Sequence, residues 1–439
     1  MSPLSPKFET LPNGLQLVLI DLPGWHSITN FLVIRSGSRY ENKANNGIAH
    51  FLEHMVFKGT KKYPNTLAVA EAIEGVGGYF NAWTANDHTA YWNSVPISAW
   101  RIGTEMPFEL AFEALLRPED LERERAVIIE EIKRMRDDPS SFVDDLLGQV
   151  LFPNHPLGQS VIGSEKNIQS MSIEQFNDYR LTYYHPSQAL FVAVGNITGQ
   201  DIRSAVIAQT KDLKASSVTR PKRFESSSIS GLNFYHKKTD QTHFMLGMAN
   251  PTLVAGGPQN PIGVVLNAVL GTGMSSRLFL NIREKKGLAY AISSSFHSFE
   301  DTGLIQIYGG VNTEKVDQTL AALDEELSRL ATDIVSDEEF AKTKALIVGS
   351  LDMSADRPID LARWYGVARL LGDEESIEQA KKKILAVTAE SIRDLAKIVF
   401  AKKRQTLAVI GPYENDRMFR EFLGLSSVAP QGARIKSEV

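Results

Sequence analysis

The sequence predicts an α+β protein of two homologous domains, each a mostly antiparallel sheet with helices packed on one face, and three observations lead there. The chain has 439 residues, more than one ordinary hydrophobic core supports. Residues 184–195, running from Tyr184-His185-Pro186 to the buried-looking strand Leu190-Phe191-Val192-Ala193-Val194-Gly195, have a worn copy at 400–411. There Leu407-Ala408-Val409-Ile410-Gly411 ends the same succession of helix end, short loop and strand. Between the copies, residues 211–231 are rich in Ser, Lys and Arg with weak periodicity and read as a linker, so domains of 1–220 and 221–439 are expected.

Taken in order, Asn13-Gly14 marks a turn before a β-rich run at 15–20, and Pro23-Gly24 separates that run from a second at 28–36. Ile48, Phe51, Leu52, Met55 and Val56 then recur at helical spacing, with Asn45 or Asn46 placed to cap them. Residues 66–74 form the next helix, stopped at Gly75-Val76-Gly77-Gly78. An aromatic-rich strand at 79–84 and a returning strand at 89–95 make a hairpin. From Pro118 a long charged helix begins, and Val127-Ile128-Ile129 suggest that it passes through the interior. Its copy starts near Ser336, a register that sets Ala126 on Ala345, Ile128 on Ile347 and Glu131 on Ser350.

Chemistry concentrates on the helix at 48–56. His50 and His54 stand one turn apart on the same face, where two imidazoles can share a zinc ion at about 2.0–2.1 Å each, and Glu53 lies beside them. The pattern is HxxEH, the reverse of HExxH, and both are signatures of zinc peptidases. Zinc lowers the pKa of a water toward neutrality, and a carboxylate that is not a ligand must then take the proton as the water attacks a carbonyl carbon. Glu53 fits that role. A catalytic zinc takes three protein donors, and the best source of the third is the charged helix, where Glu124 and Glu131, seven apart, share a face. Those carboxylates would equally suit a solvated charged face.

Composition narrows the alternatives. Hydrophobic residues make up 43% and charged residues 23%, as in ordinary soluble proteins. A formal net charge of -5 with a pI near 6.0 argues against a nucleic-acid-binding protein. The absence of cysteine leaves histidine and carboxylate as metal donors. The first residues, Met1 to Pro6, have no basic, apolar or Arg-rich amphipathic character, and no apolar run reaches spanning length. A cytoplasmic protein without membrane association is expected.

His50-Phe51-Leu52-Glu53-His54-Met55-Val56-Phe57-Lys58-Gly59-Thr60, followed by Glu124-Arg125-Ala126-Val127-Ile128-Ile129-Glu130-Glu131, closely resembles the M16 (pitrilysin) metallopeptidases, the inverzincins. The resemblance is to their half-length branch, which includes the mitochondrial processing peptidase and bacterial homologues, and it implies the M16/LuxS-like fold. It also implies His50, His54 and Glu131 as zinc ligands, Glu53 as base and Glu124 as a supporting carboxylate. Glu130 points about 100° away from Glu131 on a helix, so only one of the pair can face the metal. The segment Asn81-Ala82 becomes, by resemblance, an edge strand beside the zinc that pairs with extended substrate. His88 is superfluous as a ligand. The second half has lost Glu131's counterpart, and residues 261–270, the copy of the metal helix, hold no His or Glu, so one Zn2+ per chain is expected.

Arg283 and Tyr290, seven apart, read alone as a charged helix and its glycine stop. They also match the family's C-terminal Arg/Tyr motif, which the resemblance assigns to substrate binding and to the developing oxyanion. It further implies a homodimer in which Arg283 and Tyr290 of one protomer complete the other's zinc site and enclose peptide substrates in a chamber. The function expected is a zinc endopeptidase acting on short or unfolded peptides. A presequence-processing peptidase and a non-catalytic peptide-binding subunit are the alternatives.

Overall fold

Six short runs build the first sheet: β1 (Lys7–Thr10), β2 (Gln16–Asp21), β3 (Ser27–Ile34), β4 (Tyr79–Thr84), β5 (Thr89–Pro96) and β6 (Ala189–Gly195). They lie in the order β1-β2-β6-β3-β5-β4, antiparallel throughout except for β2 with β6. These come from a computed structural model that describes residues 5–225 and 230–426; the first four residues of the N-terminal stretch and residues 226–229 of the linker lie outside them. Every residue of β6 is buried, because the strand is central and covered on both faces, and its sequence is correspondingly an unbroken apolar run.

The second sheet comprises β7 (Gly231–His236), β8 (Gln241–Asn250), β9 (Ala289–Ser298), β10 (Gly303–Asn312) and β11 (Thr406–Gly411), in the order β7-β11-β8-β10-β9. Only β7 and β11 run parallel. With β1 set aside, the first sheet reads β2-β6-β3-β5-β4, so both sheets share one order and one pattern of directions. The repeat seen in the sequence is thus a repeat of topology. Helices fall in step with it: α1 (Ile48–Val56) follows β3 as the helix Asn260–Gly271 follows β8, and α2 (Thr66–Glu74) leads to β4 as the π-helical segment Leu278–Lys285 leads to β9. After α3 (Trp100–Glu113), α4 (Pro118–Asp137) corresponds to the helix Asp337–Ala355.

Contacts divide the chain into two units, but not simply at residue 220. One unit runs to Lys133 and includes Gln159–Lys222 and Met353–Glu374; the other takes Arg134–Gly158, Arg223–Asp352 and the chain from Glu375 onward. The physical reason lies in α5 (Pro139–Leu151). Its apolar stripe of Phe142, Val143, Leu146, Leu147 and Leu151 packs with Met245, Leu304, Ala408 and Ile410 of the second sheet. The alternate residues of those strands, among them Phe244, Leu246, Ile305, Ile307, Leu407 and Val409, face the main helix layer. In the first unit the helix Pro358–Arg363, from the second half of the chain, lies on β3 and β6. In addition to the expected helix layer, each sheet therefore carries on its other face a helix drawn from the opposite half of the sequence.

One local expectation is corrected. Of Val127, Ile128 and Ile129, only Ile128 is buried, with Ile132 one turn on, while Val127 is 49% exposed. Three successive helical positions spread over about 200° and cannot share one face. Among the described residues no helix is long and apolar enough to cross a membrane.

The assignment of α5 to the second core yields a prediction. Leu147 is 1% exposed, and Leu147→Ala is expected to lower unfolding stability by roughly 2–5 kcal/mol in urea titrations followed by circular dichroism. A loss below about 0.5 kcal/mol, as at a surface position, would contradict that packing.

Candidate metal centre

All parts of the site belong to the first unit. On α1, Ile48, Ala49, Phe51, Leu52, Met55 and Val56 are buried, which leaves His50, Glu53 and His54 on the face toward α4 and β4. The imidazoles stack edge to face with centroids 4.8 Å apart. Glu131 on α4 brings Oε2 to 4.0 Å from His50 Nε2 and 3.6 Å from His54 Nε2. One donor atom from each of the three residues lies within 4.8 Å of the others, and this is the cluster of metal-ligating side chains found among the described residues.

The donor set fits zinc. Atoms about 2.0–2.2 Å from a shared tetrahedral ion stand roughly 3.3–3.6 Å from one another, near the 4.0 and 3.6 Å that separate Glu131 Oε2 from the two imidazole nitrogens. Burial, and after it the neighbouring His54, push the His50 imidazole down to about 3, so that it is neutral with a lone pair to give. Its Nδ1 is buried without a hydrogen-bond partner. His54 is oriented differently: its Nδ1–H donates to Glu124 Oε2 at 3.3 Å, and Lys58 Nζ meets Glu124 Oε1 at 2.6 Å. Burial raises the Glu124 carboxyl, but the bonds from His54 and Lys58 outweigh it, and the net shift is downward. A charged carboxylate behind one imidazole fixes its tautomer and leaves Nε2 for the ion.

Glu53 is not among the three convergent donors. Its Oε2 accepts a 2.7 Å hydrogen bond from Thr84 Oγ1 at the end of β4. Burial raises its proton affinity, partly offset by Thr84 and then by His54. A carboxyl held beside a metal site with a raised pKa suits proton transfer near neutral pH. Strand β4 is the outermost of its sheet and pairs only with β5, so Asn81 and Ala82 lie on the expected edge next to α1. Asn81 is exposed and Ala82 buried.

Other residues fall as follows. Glu130 points outward and pairs with Lys133 at 2.8 Å. His88 has both nitrogens engaged, Nδ1 with Asp87 at 2.8 Å and Nε2 as acceptor from Trp83 Nε1 at 3.1 Å. Arg283 and Tyr290 lie in the second unit. Arg283 ends the π-helical segment with its guanidinium over Phe279 at 4.8 Å, and Tyr290 is 76% exposed on the edge strand β9. Neither Asn45 nor Asn46 caps α1: the N-cap is Gly47, which has no side chain to offer. The sequence reading also missed Thr84 and Lys58. Thr84 was within reach of period-2 reasoning, since it follows Ala82 on the same face of β4.

Comparison with known proteins gives the family. Residues 17–165 match the family described as Insulinase (Peptidase family M16), and residues 170–347 match the Peptidase M16 inactive domain. A protein of Streptomyces coelicolor called an uncharacterized zinc protease is 32% identical over 94% of this chain and 90% of its own length. The Bacillus subtilis protein YmxG, of the same description, is 32% identical over 93% and 99%. The crystal structure of a protease from Helicobacter pylori, 22% identical, covers 93% of this chain and all of its own, with a TM-score of 0.88. Likeness over nearly the whole length, with His50, Glu53, His54, Glu124 and Glu131 inside one matched segment and Arg283 and Tyr290 inside the other, leads to one conclusion: the chain belongs to peptidase family M16.

Proposed function

We propose that this protein is a zinc-dependent endopeptidase acting on short or unfolded peptides. The observation that carries the reading is the meeting of two imidazoles and a carboxylate within 4.8 Å, with Glu53 held beside them by Thr84. His50, His54 and Glu131 would hold a zinc ion, which when bound would supply an acidified water and a Lewis acid for the scissile carbonyl. Glu53 takes the proton of the attacking water and delivers it to the leaving amine. An extended peptide adds to the outer edge of β4 at Asn81-Ala82, replacing the Asn81 Oδ1 that accepts from the Ala82 N–H at 2.8 Å, so register is set by main-chain bonds and a broad range of sequences is accepted. Glu124 keeps His54 oriented. Relatives named zinc proteases support the metal and the reaction class.

Arg283 and Tyr290 complete the site by stabilising the developing oxyanion, and in this proposal they come from a second copy of the chain. Their exposure in the second unit is consistent with that use. A C₂ homodimer then has two equivalent composite sites around an enclosed chamber. The intact Glu53 favours a working peptidase over a peptide-binding subunit. A processing peptidase differs in substrate only, and cleavage of a quenched peptide library separates the two.

Three tests follow from this site. Glu53→Gln is expected to keep one zinc per chain by atomic absorption while losing about 10²–10⁴-fold in peptide hydrolysis; full activity would remove Glu53 as the base. Among the carboxylates, Glu131→Gln should weaken zinc severely and Glu124→Gln by about 10–100-fold, with Glu130→Gln close to neutral in a chelator titration. Sensitivity at Glu130 in place of Glu131 would defeat the ligand set. Finally, inactive Glu53→Gln and Arg283→Ala dimers should regain activity when mixed under subunit exchange, since one heterodimer site holds both residues. No recovery in mixtures shown by native mass spectrometry to contain heterodimer would rule out sharing.

A further inference from the structure

The N-terminus of α1 is held by a residue with no place in the reaction. Glu41 lies fully buried seven positions before the helix, and its Oε1 accepts from the Ala49 backbone N–H at 2.8 Å. Its Oε2 accepts from the Gly47 backbone N–H at 2.8 Å and from Asn46 Nδ2 at 2.9 Å. Two of these donors are backbone groups that the first turn of a helix leaves unpaired, and a Gly at the N-cap cannot satisfy them. Ala49 immediately precedes His50. An anionic acceptor at a helix N-terminus is also favoured by the helix dipole.

The surrounding backbone is fitted to this arrangement. Gly47 has φ +99° and Gly163 φ +83°, and the two pack together so closely that a Cβ on Gly47 would lie 2.8 Å from Ile162 O, and one on Gly163 2.5 Å from Asn46 O. Asn46 Nδ2 donates also to Ser160 O at 2.8 Å, and Asn167 Nδ2 donates to Asn46 O at 3.2 Å. Helix α1 has only nine residues, too short to be stable by itself, so the placement of its imidazoles follows from how its ends are fixed.

We infer that Glu41 is a positioning residue for the metal centre: by clamping the N–H groups of Gly47 and Ala49 it sets the pitch and rotation of α1, and so the spacing of His50 and His54 from Glu131. The inference rests on the zinc-peptidase reading above. It makes Glu41 a determinant of metal affinity without contact with metal or substrate.

The experiment uses Glu41→Gln and Asn46→Ala in the full chain. In Glu41→Gln an amide NH₂ replaces one acceptor oxygen and confronts groups that can only donate, while Asn46→Ala removes one of the three bonds and leaves the carboxylate. Zinc affinity, read by chelator competition, is expected to fall about 10–100-fold in Glu41→Gln and by less in Asn46→Ala. The visible spectrum of the cobalt-substituted protein should shift in Glu41→Gln, because the donors no longer meet in the same geometry. At saturating zinc kcat should fall while KM stays near the wild-type value, since β4 is untouched. Affinity and cobalt spectrum equal to wild type in Glu41→Gln would overturn the inference. If Glu41→Gln does not fold, unchanged affinity in Asn46→Ala overturns it and a partial loss supports it. Failure of the wild-type protein itself to bind zinc would instead overturn the underlying reading.

Discussion

Everything at the centre depends on holding two imidazoles and a carboxylate within 4.8 Å of one another on the half-buried face between α1 and α4. Ordering these side chains at one place costs conformational entropy, and contacts elsewhere in the fold must offset it. The apolar face of α1 supplies most of that constraint: six of its nine residues are buried. Glu41 fixes one end of the helix and Glu124, tied to Lys58, fixes the far imidazole. Thr84 holds Glu53 to the side, where it is close to the donors and not one of them. The three donors are thus held in place by supporting residues on α1, α4 and β4.

Duplication explains what the second half keeps. Its sheet has the same strand order and directions, and its helices occupy corresponding places, because those features are fixed by apolar patterning that drifts slowly under a packing constraint. At the position of Glu131 stands Ser350, and the helix Asn260–Gly271 holds neither histidine nor glutamate. That half holds Arg283, stacked over Phe279, and Tyr290, facing solvent, on an exposed segment.

Much of this was readable in the sequence, for reasons that differ from residue to residue. The helix at 66–74 and the strand at 79–84 were bounded correctly because Gly75-Val76-Gly77-Gly78 punctuates the chain between them, and local chemistry decides such boundaries. His50, Glu53 and His54 were legible because ligands one helical turn apart leave a fixed spacing in the sequence. Glu131 required the resemblance to the M16 peptidases as well, since the helical angle says only that one of Glu130 and Glu131 can face the metal; Glu130 pairs outward with Lys133. The reading of Val127 failed because a run of apolar letters does not say which of them faces the core.

What the sequence by itself determined is therefore whatever is local or periodic: strand and helix extents, the HxxEH face, the repeat, and the loss of donors in its second copy. Only the tertiary structure decided which sheet each helix covers. Helix α5 and the helix Pro358–Arg363 pack with the sheet of the opposite half, and an amphipathic stripe specifies that a helix must be buried without naming its partner. It likewise decided that Glu41, and not Asn45 or Asn46, secures the metal helix. The loop between residues 41 and 47 turns back on itself to bring a buried carboxylate to Gly47 and Ala49, and no spacing rule encodes a cap that reaches its helix through the fold of a loop.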